Sequence, residues 1–299
     1  MKLRDHAEIE RLRKLYNPID KIGDIYAKAI NRQTKKMIRI MGVAFAEKIA
    51  PIIREYQSKI KKLDIKTNAD RDKEKEAEMQ KILFQYSGMI EHEIAAAMFA
   101  INQLWEPQYL EEVVARFTEA LSEAQRRILM TEIFEEIGKT NPVIAENIEH
   151  IDDGIGKIVE EYNENNLKFL PEIMPAEYGE RVKTEIVENF KIGLGLNALS
   201  ALLMEIGNIA VRRGEFVAHD QTETLYAELT ATRQTDVGIG FFTWETMRDS
   251  SVRPSHALLD GNIYSWFEGA VGAGEDGADI FPGEEYGCRC IARAHAVEG

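Results

Sequence analysis

The 299-residue chain has two cysteines, and they sit two apart at Cys288 and Cys290. Gly287 would permit a tight turn before them, on which both thiolates can face one point and bind one metal ion. His256 supplies a third donor, so the candidate ligand set for zinc is His256, Cys288 and Cys290. Structural zinc asks for four ligands, and the fourth is Asp249, His295 or none. The competing expectation puts both cysteines on one face of a strand, as a period of two demands, packed as small apolar side chains. His256 would then be a hydrogen-bonded histidine holding the loop after Pro254.

A second chemistry lies in Asp249, Arg253 and His256. A histidine with an arginine and a carboxylate nearby can cleave a phosphodiester by general acid–base catalysis. The first and last of the three are seven positions apart in one loop, with no second catalytic histidine close by, which favours a rigid turn instead. In that turn Asp249 pairs with Arg253 or accepts backbone N–H groups, Pro254 fixes the chain and Gly261 reverses it. Trp244 and Trp266 read as core anchors of this region. No HExxH, GxSxG or Walker sequence occurs.

These residues lie where composition changes. From Gly238 onward the chain holds ten of its 21 glycines and both cysteines. Gly240 to Glu245 is β-branched and aromatic and predicts a strand, and Tyr286 to Ala294 predicts a second. Gly269 to Gly277 predicts a mobile loop. Upstream, apolar residues recur at helical spacing: Ile22 to Leu63, then Ile90 to Trp105, then about Tyr109 to Ile137, Val143 to Leu167, and Ala176 to about Arg213. Breaks are expected at 64–76, at Pro107, at 138–142 and at the Leu170–Pro175 loop, and Pro51 should kink or end the first helix. Gly193 and Gly195 should split the last stretch, with Asn197 as the N-cap of its second half. The fold class is mainly α: a long helical N-terminal body followed by a small α+β C-terminal domain. The expected domains are a helical region over 1–175 and a second domain over 176–299 whose α+β unit occupies 236–299.

Charge is uneven. The chain carries −14 overall, yet twelve bases stand against four acids between Lys21 and Lys66, and fifteen acids against five bases between Glu132 and Glu188. Lys28, Arg32, Lys35, Lys36 and Arg39 recur at spacings of three and four, which places them on one helical face. That face either solvates the helix or docks a charged partner: DNA, or an acidic surface that includes another copy of this chain. The net charge argues against simple coating of nucleic acid. A disulfide across a two-residue spacing would be strained, so a secreted disulfide scaffold is excluded and a reducing compartment fits. The first residues carry no apolar stretch, which predicts no signal peptide, and the longest apolar run, Ile94 to Ile101, is too short to span a bilayer.

The order of motifs resembles the phage Mu F-like family of minor head, or head morphogenesis, proteins. His219-Asp220-Gln221-Thr222 stands before Gly238-Ile239-Gly240-Phe241-Phe242-Thr243-Trp244-Glu245-Thr246. Asp249 follows, then Val252-Arg253-Pro254-Ser255-His256, Leu259-Asp260-Gly261, Phe281-Pro282-Gly283 and Cys288-Arg289-Cys290. The motif residues are Trp244, Asp249, Arg253, Pro254, His256, Gly261, Pro282, Gly283, Cys288, Arg289 and Cys290, and the resemblance covers roughly 180–295. It implies a non-enzymatic minor capsid protein of a tailed bacteriophage. Such a protein is assembled in the host cytoplasm and resides in the virion, at the capsid interior or portal vertex. Its implied partners are the portal protein and capsid or scaffolding protein, with viral DNA during packaging and a second copy of the chain as further ones. The alternative is a phage-encoded nuclease or toxin-like domain, with Asp249, Arg253 and His256 as its site, on a helical delivery body.

Overall fold

The computed structural model of the protein describes residues 6–64, 72–105, 107–133, 141–274 and 277–295. Its elements, in chain order, are α1 (His6–Ala44), a π turn (Phe45–Ile49), α2 (Ala50–Asp64), α3 (Asp72–Asn102) and α4 (Pro107–Glu132). Then come α5 (Pro142–Asn147), a 3₁₀ turn (Ile148–His150), α6 (Ile155–Lys191) and α7 (Leu196–Asp236). The C-terminal part holds β1 (Phe241–Glu245), α8 (Pro254–Leu259), β2 (Ile263–Ser265) and β3 (Ile291–His295). The fold is the expected one, a long helical body followed by a small antiparallel sheet. No described helix is long and apolar enough to cross a membrane.

Two compact units interleave along the chain. One comprises residues 1–28, 111–167 and 215–299, the other residues 29–110 and 168–214. The sequence division at 175/176 falls inside α6, which contributes to both.

The described residues of the second unit form helices and their connections. Met37, Met41, Phe45, Ile49 and Ile53 pack with Ile82, Tyr86, Ile90 and Ile94 of α3, with Val182, Ile186 and Phe190 of α6, and with Leu199, Leu203 and Ile206 of α7. The first of these stripes recurs every four residues. At 3.6 residues per turn such a stripe drifts about 40° per step, and one wider π turn takes up part of that drift. The same turn lies immediately before Pro51, whose ring would otherwise press on the carbonyl four residues back. The interruption expected from Pro51 is therefore a local widening, with helix on both sides.

Three local expectations are corrected. Leu170–Pro175 is not a loop, because α6 runs unbroken through Pro171 and Pro175. Each proline removes a backbone bond and costs about 3 kcal/mol. Leu170, Met174 and Tyr178, four apart on one face and all buried, hold the helix across both prolines. The single helix expected over 143–167 is instead α5, a 3₁₀ turn and the start of α6, joined at Gly154. Asn141 caps α5, accepting from the N–H groups of Val143 and Ile144. Asn197 lies inside the first turn of α7, where the Gly195 carbonyl accepts from Leu199 N. The split at Gly193, with φ +93, stands as expected, and Pro107 opens α4. Residues 65–71 of the polar stretch and most of the 138–142 breaker cluster lie outside the described residues, whereas residues 72–76 already belong to α3, so the break expected over 64–76 is shorter at its end.

In the first unit Tyr26 stacks on Phe117 at 4.0 Å, and Tyr16 meets Tyr226 edge-on. Arg233 of α7 is buried, and its guanidinium donates to Asp152, to Gln125 Oε1 and to the Ser122 carbonyl and hydroxyl. The sheet of this unit has the order β2-β1-β3, both pairs antiparallel, with Phe242 opposite Tyr264 and Ala294. Phe242 and Trp244 are fully buried in a core shared with Trp266, Ile280, Phe281 and both cysteines. The strand expected over 286–294 is paired only from Ile291, and β2 is a strand that no periodicity announces, being three residues long. The Gly269–Gly277 segment is a loop, and the described part of it is closed by an antiparallel bridge between Ala270 and Ile280.

Candidate functional site

Three segments converge beside β1. The loop after β1 carries Asp249, whose carboxylate accepts from Ser251 N and so turns the chain. Pro254 sits at the first position of α8, where its missing N–H costs nothing. One turn of that helix drives His256 inward to 1% exposure. Gly261, with φ +81, then returns the chain so that its N–H reaches the Trp244 carbonyl. The last segment enters through Pro282-Gly283 and a turn in which Cys288 N bonds to the Glu285 carbonyl. Gly287, in the left-handed region at φ +68, donates its N–H to Asp220 Oδ1 of α7. Cys288 and Cys290 then point inward while Arg289 between them reaches Asp249 at 2.6 Å.

Gly283 shows how tightly this segment rests on α7. A Cβ there would stand 2.7 Å from Ala227 Cβ and 3.2 Å from the Glu223 carbonyl, at φ +84. Gly283→Ala is therefore expected to lose about 2–3 kcal/mol from backbone strain and overpacking, read as a lower urea midpoint at unchanged slope.

The three sulfur and nitrogen donors meet. His256 Nδ1 lies 3.5 Å from Cys288 Sγ and 3.5 Å from Cys290 Sγ. On the other side of the ring His256 Nε2 lies 2.8 Å from Glu285 Oε2. Trp244 packs edge-on against the imidazole at 5.5 Å. The Cys288 thiol is brought down to about 6 by the hydrogen bond from Cys290, against the opposing effect of burial. Cys290 is pushed up by the same bond and by burial.

His256, Cys288 and Cys290 form the group of potential metal donors found among the described residues, their ligand atoms all within 4.8 Å of one another. Neither fourth-donor candidate joins them. Asp249 is engaged with Arg289, and His295 ends β3 opposite Phe241. The carboxylate that reaches His256 is that of Glu285, not Asp249. Arg253 donates to the Tyr286 carbonyl and lies 3.9 Å from Glu285. The phosphodiester-cleaving alternative needs Asp249, Arg253 and His256 open to a substrate, whereas here the histidine is turned into the core.

Three further residues shape the site without a sequence motif. Glu285 orients His256. Gln234 of α7 accepts from Trp266 Nε1 at 2.9 Å and donates to the Ala292 carbonyl at 3.0 Å, tying helix to sheet. Glu223 of α7 is buried, and its carboxyl is raised to about 8 by that burial and then by Asp20, with Arg289 opposing. An amphipathic pattern gives no signal for any of them, because each looks like an ordinary polar helix or turn residue.

Residues 180–293 match the family model of Phage Mu protein F like proteins. The Mu F-like segment thus includes the end of α6, all of α7, the sheet up to the middle of β3 and the three donors, and it is less than half of the chain. The chain is also 29% identical over 126 residues to an uncharacterized protein of Haemophilus influenzae, an alignment covering 42% of this chain and 27% of that protein. The chain thus spans about a quarter of the length of the curated relative it matches. No solved structure matches the chain. Within the Mu F-like segment the His219–Thr222 signature has a physical role. Asp220 holds the Gly287 turn, and Gln221 accepts from the Tyr162 hydroxyl.

Proposed function

We propose that this chain is a non-enzymatic minor head protein of a tailed bacteriophage, acting in head morphogenesis at the portal or capsid interior. The observation that carries this reading is the Mu F-like match over residues 180–293, which coincides with a small, densely cross-braced fold. A structural role agrees with His256, which is buried with both ring nitrogens facing internal partners. The helices supply surfaces suited to assembly partners. Phe84 and Phe99 of α3 and Met204 of α7 are each more than 70% exposed. Quantitative mass spectrometry of purified particles tests the reading. The chain should co-purify with filled heads at a few copies per portal, and its absence from heads and proheads alike would overturn it.

Contact with DNA is part of the same proposal. Lys28, Arg32, Lys35, Lys36 and Arg39 are all exposed on α1, and Lys36 Nζ lies 5.9 Å above the Tyr109 ring. Full-length chain on double-stranded DNA in a filter-binding series should show retention that falls steeply with salt, because each neutralised phosphate releases counterions. Changing Arg32, Lys35, Lys36 and Arg39 to Gln should flatten the log–log slope by about 3–4, at roughly 0.9 per phosphate contact. No retention at low salt would remove DNA and leave an acidic protein surface as the partner of this face.

A further inference from the structure

We propose that His256, Cys288 and Cys290 form a zinc-class metal site with three protein donors, oriented by Glu285 from outside the coordination sphere. Such a site does not depend on the head-protein reading. Zinc bonds of about 2.3 Å to sulfur and 2.0–2.1 Å to imidazole nitrogen, at a tetrahedral angle, separate S and N by roughly 3.6 Å. Both sulfurs stand 3.5 Å from the same nitrogen. Two sulfurs at equal distance from one imidazole nitrogen match the spacing that a shared cation imposes, and such a cation satisfies all three atoms.

The tautomer points the same way. A carboxylate only accepts, so Glu285 Oε2 at 2.8 Å requires the proton on His256 Nε2. In the neutral ring this leaves the Nδ1 lone pair directed between the sulfurs. A carboxylate on the distal ring nitrogen is the usual outer partner of a metal-bound histidine, fixing ring orientation and raising ligand basicity. Trp244 Nε1 is a further pointer. It is buried with no hydrogen-bond partner among the described residues, in the same core cluster as both cysteines. Such a donor suits a metal-bound thiolate, which keeps its negative charge. Two thiolates and an imidazole select a soft or borderline ion, zinc above magnesium or calcium. The fourth vertex falls to water or another exogenous ligand.

The site would also join segments distant in sequence. It ties α8 to the turn before β3, and because the ligand geometry exists only in the folded chain, binding free energy becomes folding free energy.

The experiment uses full-length chain purified without chelator. Elemental analysis should find one zinc per chain, lost on prolonged chelation and restored by added Zn²⁺. Replacement by Co²⁺ should produce visible d–d absorption of tetrahedral intensity with thiolate-to-metal charge transfer in the near ultraviolet. Cys288→Ser and Cys290→Ser should each abolish the charge-transfer signature or shift it, and His256→Ala should lower metal affinity. Because these variants can fail to fold, Glu285→Gln is the second arm. It keeps all three donors and should weaken zinc by about 10–100-fold while the Co²⁺ spectrum persists. A merely structural Glu285 would leave zinc affinity unmoved, which would remove its orienting role. Folded wild-type chain that takes up no Zn²⁺ or Co²⁺, or that binds without thiolate charge transfer, overturns the metal site itself.

Discussion

Asp152→Ala is expected to destabilise the fold by about 3 kcal/mol, and the loss should be partly recovered in Asp152→Ala/Arg233→Met. The Arg233 side chain is 2% exposed and sits 2.8 Å from Asp152. Removing the carboxylate strands a buried guanidinium, an error that typically costs about 3–5 kcal/mol. Asp152 is itself 43% exposed, so water can replace part of what is lost, and the lower end of that range applies. The same carboxylate also binds Arg126 at 2.6 Å, so the variant leaves two cations without their shared partner. Replacing the arginine as well removes the stranded charge and restores apolar packing. Urea titration of the wild type, both single variants and the double variant closes the cycle, and additive losses would show that the pair is not coupled. Burial opposes ionisation of Asp152, but the hydrogen bonds from Arg233 and Arg126 outweigh it and hold the carboxyl below its usual range. The stabilisation from this group is thus present above the unfolded pKa of about 3.9 and is lost as pH falls through the lower folded value.

Glu223→Gln should abolish the pH dependence that this buried acid imposes. Burial and the neighbouring Asp20 raise this carboxyl from 4.5 to about 8, with Cys288 and Asp220 adding to the rise and Arg289 opposing it. Between those values the unfolded chain has released the proton and the folded chain still holds it. The unfolded state therefore binds fewer protons, and stability falls as pH rises, by at most about 1.4 kcal/mol per unit. Glutamine carries no such charge. The variant should match the wild type near pH 4 and exceed it at pH 8 by something on the order of 4 kcal/mol. Thermal midpoints at pH 4, 6 and 8 give the answer. A variant-to-wild-type difference that does not change with pH would mean that Glu223 ionises normally in the fold.

The residue types alone marked the chemistry. Two cysteines at a spacing of two and a histidine after Val-Arg-Pro were sufficient to name the three atoms that meet. Local pattern was sufficient for the apolar stripes, for the helix opening at Pro107, for β1 with its alternating aromatics, and for the reversal at Gly261. Each of these is decided by neighbours within a few residues, where steric and periodic preferences act. Tertiary structure decided the rest. Pro171 and Pro175 read locally as breakers, yet burial of Leu170, Met174 and Tyr178 outweighs the lost backbone bonds. Asp249 accepts from a backbone N–H, one of the two local expectations for it, but its carboxylate also reaches Arg289, 40 positions along the chain. Glu285 serves His256 from 29 positions away, and Asp152 neutralises Arg233 from 81. A charge or a hydrogen-bond donor leaves no periodic trace of its partner. Which carboxylate meets which cation is set by the packing of apolar faces, and only afterwards does electrostatics select among the groups that packing has brought within about 3 Å.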